Sequence, residues 1–147
     1  MFLWVFQAAT LYFSPEKTKV SIDNQFRLEV RVSGVQDLFG APFRISYPTD
    51  LLEVIKIEEG DFLKKDGKKT AFLQKVDNKK GEIIIGLTRL GKIMGISGDG
   101  VILTLTFIAK KTGSATLTFQ KTDLRDSNLK PLPVRTRAAK ILIGKKK

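Results

Sequence analysis

The sequence predicts an all-β chain of about nine short strands folded as an antiparallel sandwich. Three observations carry this. First, two stretches alternate cleanly. In residues 26–32, Phe26, Leu28, Val30 and Val32 fall on one face and Arg27, Glu29 and Arg31 on the other; in residues 41–47, Ala41, Phe43, Ile45 and Tyr47 oppose Pro42, Arg44 and Ser46. A period of two over such lengths is that of a half-buried strand. Second, no long segment carries the helical period. Third, turn residues recur between the apolar runs, at Pro48-Thr49-Asp50, at Asp66-Gly67, through DNKKG at 77–81 and through the glycine-rich residues 91–100.

The elements follow in order. Residues 1–9, MFLWVFQAA, are apolar and uncharged. They are too short to cross a membrane, which takes about 20 residues, and are expected to be a truncated signal or linker segment. Trp4 lies there and is given no ligand role. The folded domain is expected over residues 10–144, with 145–147 as a frayed basic tail. Residues 10–14 form a first strand stopped by Pro15; 16–24 are a polar connection with a short apolar piece at Val20-Ser21-Ile22; 26–32 are a strand ended by Ser33-Gly34. Residues 41–47 and 51–57 are two strands joined by the Pro48-Thr49-Asp50 corner, where proline fixes φ. Residues 58–69 are a charged loop whose Phe62 and Leu63 tuck under the end of the sandwich. Strands are expected at 70–76, 82–90, 101–109 and 115–120. After a polar segment at 124–128, Pro131 and Pro133 break the chain before a last strand over 134–143.

Composition narrows the function. The chain has 147 residues, 42% of them hydrophobic, enough for the core of one domain. It has neither cysteine nor histidine. That removes disulfides, thiol chemistry, Cys-based zinc sites and the commonest general base and metal ligand. The expectation is a protein that is not an enzyme and needs no cofactor or metal. The net charge is +11. Its lysines come as pairs in expected loops, at 64–65, 68–69, 79–80 and 110–111, with no basic strip interleaved with aromatics. This reads as a solvated basic surface that would steer an acidic partner, with no nucleic acid expected.

Two motifs invite chemistry. Gly95, Gly98 and Gly100 lack the strand-before, helix-after setting of a phosphate loop, so they read as positions of positive φ or close backbone approach. Asp99, Asp123 and Asp126 lie in loops without ligand spacing and read as turn formers.

Order and spacing carry a resemblance. Gly34, then LFGAPFRISY at 38–47, then Leu52-Glu53-Val54, followed by GEIIIGLTRLGKIMGISGDGVILTLTFIAKKTGSATLTF at 81–119, is similar to a cohesin module over nearly all of the chain. Cohesins are receptor modules that bind dockerins, which fold around calcium. The resemblance implies a nine-stranded jelly-roll sandwich and a non-catalytic protein–protein interaction role, exported, at a cell surface, outside the cell or in the periplasm, within a scaffolding or secretion assembly. It implies docking on the open face of one sheet, made by strands 41–47, 70–76, 81–90 and 114–120. Alternation then nominates outward residues: Pro42, Arg44 and Ser46; Leu73 and Lys75; Ile83, Ile85, Leu87 and Arg89; Thr116 and Thr118. Of these, Arg44, Ser46, Leu73, Lys75, Ile83, Ile85, Leu87 and Arg89 are the expected partner-binding set. The Asn and Asp that cellulosomal cohesins of the first type carry on the first of these strands correspond to Gly40 and Pro42 here, so those polar contacts do not carry over. The alternative reading is a carbohydrate-binding sandwich linked to polysaccharide degradation. Against it stands the supply of aromatics for sugar stacking, one Trp in the leader and two Tyr, Tyr12 and Tyr47.

Overall fold

The computed structural model describes residues 8–146; all but the last two residues of the apolar leader therefore lie outside the described residues. The strands are β1 (Ala9–Ser14), β2 (Lys17–Ser21), β3 (Gln25–Ser46), β4 (Leu52–Glu59), β5 (Thr70–Asp77), β6 (Glu82–Arg89), β7 (Ile96–Ala109), β8 (Gly113–Gln120), β9 (Arg125–Asp126), β10 (Val134–Arg137) and β11 (Ala139–Gly144), with one 3-10 turn at Phe62–Lys64. The all-β sandwich expectation holds, with eleven strands rather than about nine, but two pairings, β1 with β10 and β11 with β2, are parallel and not antiparallel. Three short pieces add strands, since the polar connection holds β2, the 124–128 segment holds β9 and the last strand divides into β10 and β11, while the expected strands 26–32 and 41–47 merge into β3.

β3 organises the molecule. Its first half, through Val32, pairs with β1 and β7; its second half, Gly40 to Ser46, pairs with β6 and β8. Ser33-Gly34 was expected to end a strand, but the chain bends there and pairs on. Register shifts fall between Val32 and Val35 and between Val35 and Leu38, with Gly34 at φ 68° and Asp37 at φ 56°. Extra residues and left-handed φ values bend a strand sharply. One continuous strand therefore serves both layers. The first layer runs β10-β1-β3-β7-β4; the second runs β5-β6-β3-β8-β11-β2.

The core lies between the layers and is continuous from end to end. Alternation sends Leu11, Phe13, Leu28, Val30, Leu105 and Phe107 inward from the first layer, and Phe43, Ile45, Ile83, Ile85, Leu117 and Phe119 inward from the second. Aromatic pairs join them: Phe13 stacks on Phe119 at 4.3 Å, and Tyr47 meets Phe107 edge-on at 5.8 Å. Such pairs add about 0.5–1.5 kcal/mol each beyond area burial.

The Pro48-Thr49-Asp50 corner is closed by the amides of Leu51 and Leu52, which donate to the Pro48 carbonyl, and Lys110 Nζ donates to the Thr49 carbonyl at 2.9 Å. It joins two strands that do not pair with each other, because β4 lies on β7. The corner carries the chain from the second layer to the first. Phe62 and Leu63 are buried in the 3-10 turn, as the sequence predicts.

Candidate docking face

The expected four strands do assemble side by side, in the order β5-β6-β3-β8. Register aligns their outward residues into rows. Gln120, Arg44, Ile84 and Lys75 form one row; Thr118, Ser46, Glu82 and Asp77 form the next; Pro42, Gly86 and Leu73 form a third. Leu73 is 73% exposed. Pro42 is exposed beside it in the row, and Gly86 between them has no side chain to shield either. Arg44 donates to Glu82 at 2.8 Å across the β3–β6 pair. Both ends are partly solvated, so the pair stabilises the fold by less than about 1 kcal/mol. Beyond Arg44 the face dips into a groove lined by Pro42, Arg44, Ile84, Lys121, Thr122 and Asp123.

The outward set needs one correction. Arg44, Ser46, Leu73 and Lys75 point out of the sheet, as do Pro42, Thr116 and Thr118. Ile83, Ile85, Leu87 and Arg89 do not; all are buried. Antiparallel pairing places Phe43 opposite Ile85 and Ile45 opposite Ile83, so these isoleucines share the core side. The outward residues of β6 are Glu82, Ile84, Gly86 and Thr88. Ile83, Ile84 and Ile85 are all apolar and leave the phase open, and Arg89 at the end of the strand is polar yet buried. The row Glu82, Ile84, Gly86, Thr88 is the less apolar of the two, and that was the available signal.

Arg89 is buried because it has a partner. It is 3% exposed, donates to the Leu63 carbonyl at 2.6 Å, and grips both oxygens of Asp66 at 3.1 and 2.7 Å. It thereby ties the loop at 60–69 to the end of β6. The Arg89 hydrogen bonds hold the Asp66 carboxyl at about 2, below its ordinary 3.8. The folded chain binds this proton more weakly than the unfolded one, so the latch is complete above about pH 5 and is lost as pH falls through 3.8 toward 2. Amide hydrogen exchange across residues 61–69, corrected for intrinsic rates, is expected to lose protection over that window. Asp66→Asn should show low protection already at neutral pH and no such titration; identical profiles for the two proteins would remove the latch.

Asp37, which sequence reasoning passed over, is a second tie. Its carboxylate accepts from the amides of Gly95 and Ser127 at 2.6 and 3.2 Å and from the Ser127 hydroxyl at 2.6 Å. Burial pushes its proton affinity up, but the bonds from Ser127 and Gly95 outweigh this and leave it below the ordinary value. Gly95 presses on the Asp37 backbone so closely that a Cβ would collide. Gly98 takes a φ of 115°. The glycine run therefore serves close approach and left-handed backbone. The three aspartates expected in loops fare differently: Asp99 lies in β7 and Asp126 in β9, and Asp126 alone closes a turn. Asp99 accepts from the Gly34 amide, Asp126 accepts from the amides of Asn128 and Lys130, and Asp123 pairs with Arg125. Among the described residues no group of Asp and Glu side chains is placed to hold a metal ion.

The face thus carries an exposed apolar row beside one ion pair, Arg44 with Glu82. The family model for the cohesin domain matches residues 12–143. The chain belongs to the cohesin family. Solved cohesins share its fold. A non-cellulosomal cohesin from the hyperthermophilic archaeon Archaeoglobus fulgidus superposes with a TM-score of 0.79 at 20% identity, covering 94% of this chain and 92% of that one. A cohesin from Clostridium thermocellum, solved as a type I cohesin–dockerin complex, gives 0.79 at 19% identity, covering 98% of this chain and 100% of that one. A type II cohesin domain from the cellulosome of Acetivibrio cellulolyticus gives 0.80 at 13% identity, covering 92% and 95%. A search of curated proteins found no match. No helix among the described residues is long and apolar enough to cross a membrane.

Proposed function

We propose that this cohesin is a non-catalytic docking receptor whose outward β5-β6-β3-β8 face binds a dockerin or dockerin-like protein. The observation that carries the reading is the row Pro42-Gly86-Leu73, an exposed apolar strip on a rigid sheet within the fold of a family whose solved members include dockerin complexes. Burying Leu73 supplies the apolar contact. Arg44, held by Glu82, with Lys75 and Lys121 around it, supplies a basic setting that would speed encounter with an acidic partner. Ser46, Glu82 and Thr118 offer polar contacts in the neighbouring row. The place of action in this reading is a surface, extracellular or periplasmic scaffold, as the resemblance implies. The lone Tyr on an inner face, Tyr47, and the half-buried Tyr12 give a sugar no aromatic platform on this sheet.

Titration calorimetry against a panel of calcium-loaded dockerin modules tests the reading. Binding is expected with calcium and lost on addition of chelator, because the partner and not the cohesin needs the ion. Binding to none of the panel would retire dockerins as the partner.

A further inference from the structure

The docking face does not end at β8. The same sheet continues through β11 to β2, and its outer surface changes character there. Lys140 stands opposite Lys17 on one side and Thr116 on the other; Leu142 stands opposite Lys19 and Ser114. All six are exposed, Leu142 to 51%. None of β2, β8 and β11 contains an aspartate or glutamate. The two nearest acids along the chain are already engaged, Glu16 with Arg137 and Asp23 with Lys146. Among the described residues Lys17, Lys19 and Lys140 make no ion pair.

This arrangement is uphill for the isolated chain. Like charges directly opposite on neighbouring strands, about 5 Å apart, repel. Lysine on β2 alone would be ordinary, since β2 is an edge strand and lysine there discourages edge-to-edge pairing. That explanation does not reach Lys140, which lies on a strand paired on both sides, or the exposed Leu142 among the lysines. An apolar side chain ringed by unpaired cations, beside two hydroxyls, complements a polypeptide that carries carboxylates around a hydrophobic residue.

We propose that the outer surface of β2-β11-β8 is a second binding site, for an acidic polypeptide segment carrying at least one leucine-sized apolar residue. Lys17, Lys19 and Lys140 receive its carboxylates, and Leu142 receives the apolar side chain. The strip is contiguous with the docking face through Thr116 and Thr118 of β8, so one partner could span both, but the strip binds its ligand whether or not the docking face is occupied.

The test titrates the isotope-labelled protein with a synthetic peptide of glutamates interspersed with leucines, following backbone amides. Shifts are expected to cluster in β2, β11 and the first half of β8. Lys17→Gln with Lys140→Gln is expected to weaken binding roughly tenfold, the effect of two exposed charge contacts, and to flatten its salt dependence. Leu142→Ser should weaken it severalfold at unchanged salt dependence. Leu73→Asp, on the docking face, should leave peptide binding unchanged even if it abolishes dockerin binding, which separates failure of this site from failure of the other. All these side chains are exposed, so the variants should melt with the wild type. The proposal is overturned if the shifts fall elsewhere or if the lysine variant binds as the wild type does. Lysine-dependent binding of anionic vesicles or of DNA, with no binding of the peptide, overturns the polypeptide occupant.

Discussion

Leu73→Asp is expected to abolish measurable binding of the proposed partner and to leave the melting temperature where it is in the wild type. The side chain is 73% exposed and makes no contribution to the core, so its removal costs the fold little. In a docked complex it would be the main apolar anchor of the face, on its edge strand β5. Truncating a buried anchor typically costs 2 kcal/mol or more, about thirtyfold in affinity, and a carboxylate forced into a desolvated contact adds to that. Calorimetry on the variant, with a parallel thermal melt, measures both. Leu87→Asp is the contrasting variant: Leu87 is buried, so it should unfold the protein instead of acting selectively on binding. If Leu73→Asp binds as tightly as the wild type, the face is not the docking surface.

Phe107→Ala is expected to produce a large loss of stability. Phe107 is fully buried on β7, stacks on Phe26 at 5.6 Å and meets Tyr47 at 5.8 Å. It therefore joins the start of β3 to the residue just past its end, across the sandwich. The cavity left by truncation costs about 3–5 kcal/mol. For a domain of this size the melting temperature should fall by about 6–20 °C. A thermal melt checks it; a fall of a degree or two would mean that the layers close over the gap. Binding at a temperature where the variant remains folded should change little, since Phe107 does not reach the outer face.

Much of the fold was legible because alternation reports burial directly. Residues 26–32 and 41–47 each had one possible phase, and both are phased as the sequence indicates. The four strands of the candidate face do lie side by side, and three turn outward the residues that alternation indicates. β6 was not, for a physical reason: Ile83, Ile84 and Ile85 satisfy either face, and the polar residue that should break the tie, Arg89, is itself buried against Asp66 from a loop more than twenty residues away in the chain. A buried charge looks like a surface residue until its partner is known. Asp37 escaped notice for a similar reason. A single acid between two apolar stretches carries no sign that the loops at 91–95 and 126–130 will converge on it.

What the amino-acid order determined by itself is local: strand period, turn positions, the want of histidine and cysteine, and a succession of motifs that places the chain among cohesins. What only the tertiary structure decided is non-local: that 25–46 is one bent strand shared by two layers, that Arg89 turns inward to a partner, and that lysines from both ends of the chain meet on β2 and β11. Period and turn chemistry act between neighbours in sequence and can be read one segment at a time. Burial of a charge, register between strands and the gathering of distant side chains depend on which segments pair, and pairing is settled only when the whole core closes.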